Sequence, residues 1–282
     1  MANTPLILSD NLYDDTVLHP QAVVSSSLPE MAGSELYHVS DNLRDLTRFS
    51  PSGPGNLFVV LDAGGAALAN TIILDRGHNL AGQAVQVQHA AVSDFTAAVT
   101  PVDAVIPAAA GGLPSDPNGC LTPDGVWWKT FADASDRYWR LSVPAIAGVT
   151  PLLTGLYLGS AYRMPSYLDA PAAYDYRTRY QVGKNAMSVG GVRVKRRVLN
   201  FSEVDLSVTL EDADYPFLDA EVRRLLAFGA PWWFCLDDST QHGAGLMRLY
   251  QVPGDTTYDP QVDPVHRSVR LLLEEVIPTL TI

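Results

Sequence analysis

The sequence predicts an all-β protein: a β-sandwich or jelly roll in the N-terminal part, then a smaller β-rich domain carrying one helix. Three observations lead there. Apolar residues make up 47% and charged residues 18% of the 282 residues, enough for a packed core and unlike a disordered chain or a coiled-coil rod. Twenty-one Gly and 20 Pro cut the chain into short segments, which favours strands and turns. Apolar residues recur with period two, or in short β-branched runs, almost throughout. A change of texture after Met164-Pro165 sets the expected domains at 1–165 and 166–282.

Before Pro165 the elements are short. Asn56–Asp62 (NLFVVLD) is apolar and β-branched at its centre, Thr71–Asp75 (TIILD) repeats that texture, and Ala84–His89 (AVQVQH) alternates apolar and polar. The intervening Ala63-Gly-Gly-Ala-Ala reads as a weak loop, and Arg76-Gly-His-Asn-Leu80 as a compact turn. Val99–Asp124 is rich in Pro, Gly and Ala and reads as a long excursion; its centre, Gly111–Gly119, can hold no regular element. Trp127–Phe131 and Tyr138–Val143 return to strand character. Leu141–Tyr162 runs 22 residues without a charge, long enough to span a bilayer. Its Pro144, Pro151, Gly148, Gly155 and Gly159 break a helix, so the segment reads as two buried strands around a turn at Val149-Thr150-Pro151.

After Pro165, Met187–Phe201 gives the strongest strand-pair signal, with Val192, Val194 and Val198 set against Arg193, Lys195 and Arg197. Val204–Glu211 alternates in the same way. The helix is expected between Pro216 and Gly229: Pro suits a first turn, Asp219 and Glu221 lie near its N-terminal end, and Leu218, Val222, Leu225 and Leu226 share a face. Pro231–Asp238, Gly245–Val252 and Arg267–Val276 complete the domain as strands.

Charge narrows the function. The formal net charge is −12, with 7 basic and 15 acidic residues before Pro165 and 12 and 16 from there on, so neither part is basic. That opposes nucleic-acid wrapping and a seat on an anionic membrane surface, and no membrane insertion is expected. The N-terminus lacks a basic region and shows no signal peptide. Cys120 and Cys235 follow no CxxC spacing and read as two buried free thiols.

Motif chemistry is sparse. G-x-S-x-G, H-E-x-x-H and phosphate-cradling glycine loops do not occur, and the six histidines are dispersed without metal-ligand spacing. No cofactor is expected. Asp14-Asp15, Asp237-Asp238 and Glu274-Glu275 point to opposite faces if they lie on strands, so none supplies a glycosidase pair alone, and solvated strand ends are the simpler reading. Asp116, Asn118 and Asp124 offer oxygen ligands in a loop but read as Asx turns. Arg193, Lys195 and Arg197 share one strand face that could grip phosphate or, in an acidic protein, pair with a neighbouring subunit's carboxylates. In Trp127-Trp128 and Trp232-Trp233, alternation sends one ring inward and leaves the other outward, available to an interface or a sugar.

Residues Asp10-Asn-Leu12, Asn56–Asp62, Thr71–Leu80, Tyr138–Val143 and Gly155–Gly159 together resemble the galactose-binding-like jelly rolls of discoidin-type modules and phage tail proteins. Val192–Phe201, the helix near Asp219–Phe228, Trp232–Leu236 and Leu271–Val276 resemble the small β-barrel domains, with one helix, of distal tail and baseplate proteins of long-tailed phages. The resemblance implies a non-enzymatic virion protein of the tail tip, assembled in the bacterial cytoplasm. It would form a closed ring of copies that links the tail tube to the hub and the receptor-binding fibres. The alternative is a carbohydrate-binding protein or receptor-binding accessory, contacting a host glycan through an exposed tryptophan. A glycoside-active enzyme is the third class and needs a cleft with two convergent carboxylates.

Overall fold

Seventeen strands alternate with tight turns along a computed structural model that describes residues 6–14, 19–40, 47–164, 174–181, 186–187, 193–194, 199–211, 219–220, 223, 231–251, 261–262 and 266–276. The strands before Met164 are β1 Leu6–Leu8, β2 Val23–Ser26, β3 Leu57–Leu74, β4 Ala84–Ala90, β5 Val99–Val105, β6 Cys120–Leu121, β7 Trp127–Val143, β8 Leu156–Gly159 and β9 Tyr162–Arg163. Those after it are β10 Tyr174–Gln181, β11 Ala186–Met187, β12 Arg193–Val194, β13 Leu199–Glu211, β14 Trp232–Cys235, β15 Arg248–Gln251, β16 Gln261–Val262 and β17 His266–Glu275.

Two compact units result. One holds the described residues up to Met164 together with Trp232–Arg248; the other holds those of Pro165–Pro231 and Leu249–Ile277. The expected second domain, 166–282, is thus interrupted. Its Trp232–Arg248 stretch joins the first unit because β14 pairs antiparallel with β1, Leu6 opposite Cys235 and Leu8 opposite Trp233.

The first unit is a β-sandwich. Its large sheet runs β2-β3-β7-β4-β5, with β6 on β7 and β8 on β3, and its second sheet part is β14-β1-β9; every pairing is antiparallel. Strand alternation builds the core. Leu57, Val59 and Leu61 of β3, Trp139, Leu141 and Val143 of β7, and Val85 and Val87 of β4 are buried, and they meet Leu12, Tyr13, Leu36, Val39, Phe49 and Leu158.

Three local readings are corrected. Asn56–Asp62 and Thr71–Asp75 are one strand, because the Gly-Gly segment forms a bulge between Asp62 and Ala67 without ending the pairing to β7. Gly64, at φ 74°, supplies the left-handed residue there, and its N–H donates to Asp62 Oδ1 at 2.9 Å. Trp127–Phe131 and Tyr138–Val143 are likewise one strand, carried through by the matching length of β3. The excursion from Val99 begins with a regular strand, β5, and a turn at Ile146–Val149 separates the two apolar runs of Leu141–Tyr162. No helix of the described residues is long and apolar enough to cross a membrane.

In the second unit β10, β13 and β17 form an antiparallel ladder, extended by β16 and by Tyr250 and Gln251 of β15; β11 and β12 make a separate pair. Among the described residues this is an open ladder, with no pairing that closes it into the expected barrel. Asp219, Ala220 and Arg223 of the expected helix are helical, and Arg223 Nε donates to Asp219 at 2.8 Å; the rest of that helix lies outside the described residues.

Candidate functional site

All four tryptophans of the two pairs, each pair expected to offer one outward ring, are fully buried: Trp127 and Trp128 at 0%, Trp232 and Trp233 at 1% exposure. Alternation does send Trp127 and Trp128 to opposite faces of β7, but both faces are covered. Trp127 enters the sandwich core and donates from Nε1 to the Asn118 carbonyl at 2.9 Å. Trp128 points the other way and donates from Nε1 to the Ala244 carbonyl at 3.1 Å, so the stretch Trp232–Arg248 closes that side. Trp233 meets Tyr157 edge-on, with ring centroids 5.2 Å apart. None of these rings is open to a glycan. Arg193 lies on β12, its backbone opposite Met187, while Lys195 and Arg197 fall outside the described residues.

The acidic pairs are dispersed as well. Asp238 accepts both guanidinium nitrogens of Arg163, 2.8 Å on the Nη1 side, and Asp237 accepts from the Ser239 N–H at 2.9 Å. Glu275 is buried rather than a solvated strand end. The loop oxygens serve separate turns: Asp116 Oδ2 takes the Leu113 N–H, Asn118 Oδ1 the Val105 N–H and Asp124 Oδ1 the Thr122 hydroxyl. Among the described residues no group of three potential metal ligands converges.

A cleft in the first unit that brings an exposed tyrosine beside carboxylates is built mainly by Glu30–Ser40. A turn at Met31–Ser34 is closed by the Ser34 N–H on the Met31 carbonyl at 2.9 Å, and Gly33 adopts φ 78° within it. That conformation aims the Gly33 N–H at Glu35 Oε1, 2.9 Å away. Leu36–Val39 then forms one 3-10 turn, in which side chains three residues apart eclipse. Leu36 and Val39 therefore both enter the core, while Tyr37 is turned outward and 57% exposed. His38 backs the tyrosine ring, their centroids 4.1 Å apart at 53°, and its Nε2 lies 3.2 Å from Glu35 Oε2.

These groups border a cleft of about 260 Å³ lined by Glu30, Glu35, Tyr37, Ser40 and the apolar Val24 and Leu36. Amide donation from Gly33 and from its own backbone, with His38 beside it, holds the Glu35 carboxyl below the usual carboxylate range. The exposed edge of Tyr37 and two carboxylates beside apolar Val24 and Leu36 offer contact and hydrogen-bond acceptors to a small polar ligand, while the Ser40 hydroxyl donates to the Tyr37 carbonyl at 3.2 Å. The sequence does carry a signal for this site: an i, i+3 apolar pair, Leu36 and Val39, enclosing Tyr37-His38 just after a Gly-containing turn. It is too short to stand out from periodicity.

No family model matches the chain, and no curated protein matches it. Solved structures similar to part of it include a Ruminococcus gnavus GH29 fucosidase in complex with fucose, with 12% identity and a TM-score of 0.43 over 55% of this chain and 27% of the fucosidase. The chitosan-binding module 1 of a chitosanase/glucanase from Paenibacillus sp. IK-5 gives 17% identity and a TM-score of 0.38 over 53% of this chain and 98% of the module. The Clostridium perfringens module CpGH89CBM32-5, in complex with GalNAc-β-1,3-galactose, gives 8% identity and 0.38 over 50% of this chain and 96% of the module. The chain spans about a quarter of the length of the fucosidase.

Proposed function

We propose that the first unit binds carbohydrate, and that the Tyr37 cleft is the binding site. The carrying observation is the exposed Tyr37 side chain in the lining of a cleft that Glu30, Glu35 and Ser40 also line. A pyranose offers an apolar C–H face to a flat ring and hydroxyls to carboxylate and hydroxyl partners. A volume just under the range of about 300–1,000 Å³ for drug-sized ligands suits one or two sugar rings.

Binding fits the site better than hydrolysis. Two carboxylates line the cleft, yet a glycosidase needs one of them held protonated by burial. Glu35 is displaced in the opposite direction, and both glutamates reach solvent. The test is an array of neutral, acidic and amino-sugar glycans probed with the whole chain and with Tyr37→Ala. Binding confined to the unsubstituted chain supports the reading; glycan cleavage would replace it with the enzymatic one.

The ring-forming tail-tip subunit is a second reading, supported by one observation. The terminal strands of the large sheet, β2 and β5, carry exposed Val23, Val99 and Val105, and such strands can pair with another copy. Light scattering that finds closed oligomers, broken by Val99→Lys with Val105→Lys, would favour it; a monomer at micromolar concentration would oppose it.

A further inference from the structure

We infer that the Tyr37 cleft selects a cationic sugar, a hexosamine with a free protonated amine, over its neutral N-acetylated counterpart and over acidic sugars; the inference rests on the carbohydrate reading above. Among the described residues, the lining of the cleft holds two carboxylates and no lysine or arginine. Glu35 stays ionised because its Oε1 accepts the Gly33 N–H at 2.9 Å, an interaction made with the charged form. Its Oε2 faces His38, the titratable group packed beside it, at 3.2 Å. Glu30, the second carboxylate of the lining, is exposed.

Charge and ring act together on such a ligand. An ammonium against the exposed part of the Tyr37 ring gains from its quadrupole, and a carboxylate of the same cleft adds a charge-assisted hydrogen bond. The chain's net charge of −12 draws cations toward the surface and repels uronic or sialic acids. An N-acetyl group keeps the pyranose but removes the cation, so it retains ring stacking and loses the carboxylate term. The carboxylates therefore carry most of the selectivity, the ring adds to it through the ammonium, and stacking of the pyranose on Tyr37 is common to both sugars.

The experiment is calorimetric titration of the whole chain with glucosamine and N-acetylglucosamine oligomers of equal length, repeated with Glu30→Gln and Tyr37→Ala. The glucosamine oligomer is expected to bind at least about tenfold more tightly, with the preference falling severalfold in Glu30→Gln and at raised salt. Tyr37→Ala should weaken both oligomers. Equal or better binding of the N-acetylated oligomer overturns the charge selectivity while leaving the carbohydrate reading intact. Glucosamine binding that is undiminished in Tyr37→Ala assigns the attraction to net charge and overturns the site. Failure of every sugar to bind the folded chain removes both.

Discussion

The indole nitrogen of Trp128 donates to the backbone carbonyl of Ala244, 116 residues further along the chain and 3.1 Å away. This bond and the Arg163–Asp238 pair hold Trp232–Arg248 against the sheet of the first unit. Trp128→Phe keeps most of the apolar contact but leaves a buried carbonyl without its donor, so it should cost about 1–3 kcal/mol. Trp128→Ala opens a cavity as well and should cost about 3–5 kcal/mol. Denaturant unfolding checks both values.

Close backbone approach makes a second, sharper contrast. A Cβ at Gly159 would lie 1.9 Å from the Asp10 carbonyl oxygen, an overlap that only movement of β8 or the β1 end can relieve. A Cβ at Gly65, exposed in the β3 bulge, meets nothing within 4 Å. Gly159→Ala should lower stability by well over about 2 kcal/mol, and Gly65→Ala should stay within about 0.5 kcal/mol of the parent. Thermal melts of the two variants separate the outcomes.

Much of the fold was legible because strand alternation is a local property. Leu57, Val59 and Leu61, or Val85 and Val87, announce one buried face each. What escaped was the count of covered faces. Trp127-Trp128 reads as one ring in and one out only while the second face of β7 is taken as solvated, and the residues that cover it, Trp232–Arg248, lie about a hundred positions away. The Asp62–Ala67 bulge escaped for a related reason: a Gly-Gly pair signals a break, and only the length of β7 shows that pairing resumes beyond it. Tyr37 was missed because one 3-10 turn offers two apolar positions, too few for a period.

Stability should depend on pH through His78. Burial lowers its pKa from 6.5 to about 4, partly opposed by Asp75 and a backbone bond with Gly125. Between about pH 4 and 6.5 the unfolded chain therefore binds more protons at this residue than the folded one. Stability from this group is complete above 6.5 and is lost as pH falls toward 4, by at most about 3 kcal/mol. In His78→Gln the slope of unfolding free energy against pH across that window should be shallower.

Burial also raises both thiols, Cys120 up to about 11 and Cys235 further in the same direction. The thiolate is the reactive form, so neither cysteine should react with a thiol reagent at neutral pH in the folded chain. Both should react at once in denaturant, with a two-thiol end point.

Titration of the folded chain with its best array glycan, beside Tyr37→Ala checked to melt at the same temperature, tests the central claim most directly. The account predicts saturable binding that falls at least about tenfold when the exposed ring is removed, a loss of about 1.4 kcal/mol or more. Equal affinity in the two proteins, or no saturable glycan for the intact one, would contradict it.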